Sequence, residues 1–452
     1  MNKIFILLGF TILSNISIAQ QTQKYNFTLE QAIDFALDSN YTAINARRDI
    51  AIAIKKKWET TAGGLPQIDA NISYQNNLKQ PTTLLPGEIA GGEAGSFVPI
   101  IFGTKQNATL GATLTQLIFD GSYLVGLQAA KTFLDYSENA EEKTQLEVRR
   151  GVINAYGSVL LSKELVEIFE LNKANLEKNI FETRAFYENG FTEEESVEQL
   201  EITLINLETQ LKNSERTLII AKQMFNLALG INVESEVVLL DNLASLTQQN
   251  ISLEFLEENI KIENNIDYKI ANNFTEQQVL KLKLEKSYSI PNLIAFVNYG
   301  TQANSENFNF LNNDQKWYQS SVVGISMNIP ILSSGIRNAK TQQARIALEQ
   351  SETNLTEAYQ KVLLEINTAK NNYRFAIEIY NNNKKNLDLS KRVERKNEIK
   401  FLEGLATSFD LRSAQIQLYT AQQNYFEAML RVITTKADLE TVLNTPQLKA
   451  TN

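Results

Sequence analysis

Apolar and polar residues alternate with two different periods along this chain. Val197, Leu200, Leu204, Leu207, Leu211, Ser214, Leu218, Ala221, Phe225 and Ala228 are separated by alternating steps of three and four. Leu411, Ala414, Leu418, Ala421, Tyr425, Ala428, Val432, Thr435, Leu439 and Val442 repeat those steps in register. Ladders of this length predict coiled-coil seams rather than single amphipathic helices. Each has an upstream partner, one from Val148 through Val152, Val159, Phe169 and Leu176 to Ile180, the other marked by Leu348, Leu355, Val362, Ala369 and Ala376. The stretch from Ser122 to Asn189 holds no Pro and predicts one helix about 100 Å long. Ser162 and Lys173 interrupt the first partner ladder, and frequent Ala and Ser suit close, slightly irregular packing.

Four shorter stretches have period two. Ile68, Ala70, Ile72 and Tyr74 alternate with polar residues, as do Ala108, Leu110, Ala112 and Leu114. Leu293, Ala295, Val297 and Tyr299 form a third set whose polar face is interrupted by Ile294 and Phe296, and Val323, Ile325, Met327 and Ile329 a fourth. Strands of this length with one apolar and one polar face suit an outer-membrane barrel, although a soluble sandwich is their commoner home. Two distant pairs close nothing alone, so the pattern predicts pairing across subunits or surface hairpins. Tyr74, Tyr299, Trp317 and Tyr318 fit an aromatic belt at a membrane interface. Pro81 to Lys105 reads as a long loop, and Gln302 to Lys316 as a shorter, Asn-rich one.

The two helical ladders are related by one constant offset, the same that separates Gly121 from Gly335 and Gly190 from Gly404. The expected organisation is therefore a repeat over 20–230, with a hairpin at 66–119 and a long helix pair at 122–230. A connecting, equatorial region follows at 231–253. A second repeat occupies 254–452, with its hairpin at 291–332 and helix pair at 335–443. Gly190 and Gly404 stand where one long helix ends and the next begins, glycine being the usual residue after a helix C-terminus.

Composition narrows the chemistry. The 452 residues include no cysteine and no histidine, which removes imidazole bases, thiolate nucleophiles and ordinary zinc sites. No metal or cofactor is expected, and Glu193, Glu194 and Glu195 read as an acidic helix start rather than a catalytic cluster. A net charge of -9 and the lack of a basic stripe argue against nucleic-acid binding. Lys3, the apolar run Ile4 to Leu13 and Ser17-Ile18-Ala19 predict a signal peptide over 1–19, and hence export without disulfide support.

Several pieces together resemble the TolC-type outer-membrane efflux proteins along nearly the whole mature length. They are Phe27-Thr28-Leu29-Glu30-Gln31-Ala32-Ile33 with Ala36-Leu37, Leu65-Pro66 and Ile290-Pro291, Phe119-Asp120-Gly121, Pro330-Ile331-Leu332-Ser333-Ser334-Gly335, and Gly404-Leu405 followed by Asp410. The resemblance implies a mainly α chain with a small transmembrane β part. Four strands per chain would close a trimeric β-barrel, continued by a long α-helical coiled-coil periplasmic tunnel. It implies a homotrimer in the outer membrane of a Gram-negative bacterium, contacting outer-membrane lipid. It further implies a periplasmic adaptor (membrane fusion) protein and an inner-membrane pump that supplies the energy.

The function expected from the resemblance is the exit duct of a tripartite efflux system. An outer-membrane component of a type I protein secretion system is the alternative within that class, and a periplasmic coiled-coil scaffold the alternative outside it. Gly190, Phe191, Gly404 and Leu405 are the expected adaptor-contact tips, with the competing reading that they only stop helices and staple them. Asp410 is expected to line the periplasmic aperture, joined by Glu193, Glu194 and Glu195. Ser196, its counterpart in the first repeat, lacks the acid. A ring of such carboxylates should retain protons above the ordinary carboxyl pKa of about 4.

Overall fold

The computed structural model describes residues 24–252 and 261–444, so the expected signal peptide lies outside the described residues. Contacts divide the chain into two units, Ala46–Glu142 with Ile262–Val362, and Met1–Asn45 with Lys143–Lys261 and Leu363–Asn452. The elements in order are β1 (Tyr25–Phe27), α1 (Leu29–Ser39), α2 (Tyr41–Ala62), β2 (Gln67–Asn76), β3 (Thr82–Pro86), α3 (Gly87–Ala90), β4 (Phe97–Ile101) and β5 (Gln106–Phe119). They continue with α4 (Gly121–Glu188), α5 (Glu194–Leu229), β6 (Val237–Leu239), α6 (Leu243–Gln249) and, after a short 3-10 turn, α7 (Ile266–Ser287). Last come β7 (Asn292–Ser305), β8 (Tyr318–Asn328), α8 (Ile336–Leu402) and α9 (Ser408–Leu443). The long helices come in matched lengths, 68 and 36 residues for α4 and α5 and 67 and 36 for α8 and α9.

In the first unit the four alternating stretches form one antiparallel sheet in the order β2-β5-β7-β8. The two hairpins are not separate, because β5 and β7 pair within the chain from Gln106↔Ser305 to Phe119↔Leu293. The two distant pairs thus join within one chain, where the pattern alone predicted pairing across subunits or surface hairpins. The register keeps apolar residues on one face across all four strands: Ile68 opposes Leu114, which opposes Val297, which opposes Val323. Ile72, Val323 and Ile325 on this face are more than two-thirds exposed in the single chain. Ser73 and Thr109 share a hydroxyl hydrogen bond of 2.5 Å on the other face. Phe296 lies directly against Gly324 in the register, where a Cβ would meet its ring at 2.6 Å. The aromatic interruption therefore fills the space left by a missing side chain.

The stretch Pro81 to Lys105 is not a plain loop. Thr82–Pro86 and Phe97–Ile101 pair as a second small hairpin around the short α3. Alternation failed to reveal it because apolar residues occupy both of its faces. Likewise β7 runs on to Ser305, into the beginning of the stretch read as its loop. Phe308, Phe310 and Tyr74 stack edge to face, and Trp317 closes over Phe310. Asp120 explains the motif at the exit of β5, its Oδ1 accepting from the Ser122 and Tyr123 backbone N–H groups at 2.6 and 3.2 Å. It caps the long α4.

The second unit is held by the ladders. Phe169, Leu176 and Ile180 of α4 pack with Val197, Leu200, Leu207 and Leu211 of α5, and Leu387 of α8 with Leu418 and Ala421 of α9. The two polar breaks find partners: Ser162 donates to the Ser158 carbonyl, and Lys173 pairs with Glu208 at 2.9 Å. Thr28 and Gln31 form a reciprocal capping box at α1, which gives the Phe27 to Ile33 motif its physical content. Phe27 itself ends β1, which runs parallel to β6.

Candidate functional site

Both long-helix turns are built the same way. Gly190 has φ +74° and Gly404 φ +71°, the left-handed conformation that costs other residues strain. The N–H groups of Gly190 and Phe191 donate to Tyr187 and Phe186 carbonyls, and those of Gly404 and Leu405 to Phe401 and Lys400. These are the paired bonds of a Schellman motif, so both glycines are helix stops. Their neighbours stay largely exposed, Phe191 at 81 % and Leu405 at 74 %; the residue opposite Leu405 in its motif is the charged Lys400, and the residue opposite Phe191 is the apolar Phe186.

The acids predicted beside these turns sit in different local settings. Glu193 is the N-cap of α5 with no side-chain capping bond, and Glu194 and Glu195 occupy its first turn. Glu195 accepts from Gln199 at 2.8 Å, and all three are exposed. Asp410, in the first turn of α9, is held in a capping box with Thr407. The Thr407 hydroxyl, aided by its backbone N–H, holds the Asp410 carboxyl below its ordinary value of 3.8. In the single chain that direction is opposite to the raised value expected of a ring, because two local donors stabilise the charged form.

The two turns lie at one level of the unit. Asn172 donates to Gln422 across a buried contact of 2.7 Å, and Asn172 precedes Gly190 by the same count that Gln422 follows Gly404. Glu193 to Glu195 thus gather at one turn and Asp410 at the other, on neighbouring hairpins joined through α5 and α9.

Sequence reasoning missed a buried ionic group further along the same unit. Arg149 of α4 meets Glu440 of α9 at 2.6 Å with both side chains more than nine-tenths covered, and Lys436 approaches Glu440 at 3.5 Å. Beside it Tyr156 lies 2.8 Å from Asp241, whose other bond, from the Leu29 N–H at 2.7 Å, ties α1 to the strand pair β1 and β6. Burial pushes the Tyr156 hydroxyl above its ordinary value. Nothing in the local pattern marked these residues, since a charged residue inside a ladder looks the same whether its partner is protein or water. Among the described residues no group of three or more acids is placed to hold a metal. No described helix is long and apolar enough to cross a membrane.

Residues 281–445 match the family model described as outer membrane efflux protein. That stretch is similar to the family. The match takes in the second half of the sheet, the end of α7 and the α8–α9 hairpin with Gly404, Leu405 and Asp410. The chain is similar to the outer membrane protein TolC of Vibrio cholerae serotype O1, with 21% identity over 337 residues, 74% of this chain and 76% of the relative. Its fold is that of the outer membrane protein VceC from Vibrio cholerae, with a TM-score of 0.71 at 15% identity over 92% of this chain and 96% of VceC. The CmeC outer membrane channel of Campylobacter jejuni matches with a TM-score of 0.73 at 15% identity, covering 92% of this chain and 85% of CmeC. TolC and VceC are outer membrane proteins and CmeC an outer membrane channel.

Proposed function

We propose that the chain is the outer-membrane exit duct of a tripartite efflux system, conducting small molecules passively to the exterior. The observation that carries this reading is the sheet. Its apolar residues align across four strands and remain exposed, which suits contact with lipid and not a soluble hairpin. Strands β2 and β8 end the sheet with unpaired edges among the described residues. Joining β8 of one copy to β2 of the next removes every edge, and three copies give 3 × 4 = 12 strands.

The long helix pairs then line the periplasmic part of the duct. Exposed Phe191 and Leu405, held out by their glycine stops, contact hairpins of a periplasmic adaptor that links the duct to an inner-membrane pump. Glu193 to Glu195 and Asp410 make the aperture acidic, and the Thr407 hydroxyl, which holds the Asp410 carboxyl below its ordinary value, keeps that residue charged at neutral pH.

Planar-bilayer recording of the purified protein tests the reading. The wild type should form cation-preferring channels blocked from one side by hexamminecobalt. Asp410→Ala combined with Glu193→Ala and Glu194→Ala should weaken that block. Unchanged block would remove these acids from the aperture, and absence of any channel would remove the duct.

A further inference from the structure

The four strands of the sheet carry a single charge. β2, β5, β7 and β8 contain no Lys, Arg or Glu, and Asp69 of β2 is their only Asp. It stands on the polar face. Asp69 opposes Thr113, which opposes Asn298, which opposes Val322, whereas Ile68 and Leu114 beside them belong to the apolar face. The Asp69 side chain is exposed. Its row supplies no cation, and the Asn298 Oδ1 in that row is a further acceptor without a hydrogen-bond partner.

The rows on either side are neutral. In one, Phe296 lies against Gly324; in the other, Asn71 lies over Gly111, where a Cβ would meet its Oδ1 at 2.7 Å, and Gly300 follows. Strand β8, which ring closure brings beside β2, adds no charge either. Twelve strands about 4.8 Å apart and tilted by about 40° enclose a wall roughly 12 Å from the axis. Three Asp69 carboxylates on that wall therefore stand within about one screening length of every path through the lumen at ~0.1 M salt. The low-dielectric wall around them concentrates the field further.

We infer that Asp69 makes the barrel lumen favour cationic over anionic solutes, separately from the acids at the helical turns. The inference rests on the trimeric duct reading above and adds the class of molecule that the barrel passes more readily. Everything else on the polar face is neutral, so no second charge competes with this one. An edge strand also gains from a charge that discourages wrong pairing. A charge of either sign on either face meets that need. Selectivity requires a negative charge on the polar face, which is where Asp69 stands.

The absence of cysteine permits a local measurement of that field. Thr113→Cys places a thiol directly opposite Asp69, about 5 Å away between Cβ atoms. At ~0.1 M salt a singly charged cationic methanethiosulfonate should modify it roughly five-fold faster than an anionic one, relative to their rates with a free thiol, from the screened field of one unit charge at that distance. Adding Asp69→Asn should bring the two reagents to parity, and Asp69→Lys should invert their order. Leu114→Cys, on the apolar face, should react with neither. An unchanged ratio in Asp69→Asn would overturn the inference and leave Asp69 as an edge charge only. A reactive Leu114→Cys beside an inert Thr113→Cys would overturn it by reversing the faces. Conduction is the second arm. In the Asp410→Ala, Glu193→Ala, Glu194→Ala variant, adding Asp69→Lys should lower the permeability of potassium relative to chloride in planar bilayers. A ratio that did not move would overturn the inference and leave the duct standing, whereas wild-type protein that forms no channel would remove both.

Discussion

The Asp410 carboxylate accepts two hydrogen bonds from Thr407, 2.6 Å from the hydroxyl and 3.0 Å from the backbone N–H. One residue therefore starts α9 and supplies charge beside the turn. Because these bonds depress the folded pKa, their contribution to stability is complete above the unfolded value near ~4. It is lost as pH falls through the lower, folded value. Thr407→Val removes the hydroxyl and should move the Asp410 titration upward, read by carboxyl carbon NMR across acid pH. An unmoved titration would show that the hydroxyl is not the cause.

The Arg149–Glu440 pair is buried on both sides, and each partner neutralises a charge that water no longer reaches. Arg149→Met should cost about 3–5 kcal/mol, as expected when a buried pair loses one member. The double variant with Glu440→Met should recover much of that loss. Chemical unfolding in detergent measures both, and equal losses in single and double variants would show that packing, not charge, dominates there.

The sheet register makes Leu110 and Thr109 a controlled comparison. Leu110 opposes Ile72 on the apolar face, whereas Thr109 bonds to Ser73 on the other. Leu110→Arg should destabilise the membrane-inserted protein by about 2–4 kcal/mol near the midplane, with a smaller effect for Thr109→Arg. Equal assembly of the two variants would reverse or abolish the assigned lipid face.

Leu405 makes little contact with its own chain, while Gly404 is required by its backbone. Leu405→Asp should therefore leave thermal stability and outer-membrane assembly unchanged but abolish dye export. Gly404→Ala should cost about 1–2 kcal/mol from the left-handed conformation alone. If Leu405→Asp lost the assembly as well, the residue would be a structural support and not a docking contact.

Much of the local architecture follows from the sequence. Steps of three and four near Val197 and Leu411 specify which helical face is apolar, and alternation near Ile68, Leu110 and Val323 specifies which strand face is. Glycine at 190 and 404, each standing between two apolar ladders, was enough to place the turns, because a left-handed residue lets the Schellman bonds form. Phe191 and Leu405 follow from those turns, whereas Asp410 is singled out by the resemblance and not by periodicity.

Partners and protonation needed the tertiary structure. Periodicity tells which side of a segment avoids water but not what covers it, so the pairing of β5 with β7, far apart along the chain, was invisible to it. The small β3–β4 hairpin escaped because a strand with apolar residues on both faces has no period. Arg149 and Glu440 became a pair only when α4 and α9 met, and Asp410 gained its low pKa from where the Thr407 hydroxyl points. A local pattern fixes which way a side chain faces; its charge and its energy depend on atoms that distant segments, or a single rotamer, bring to it.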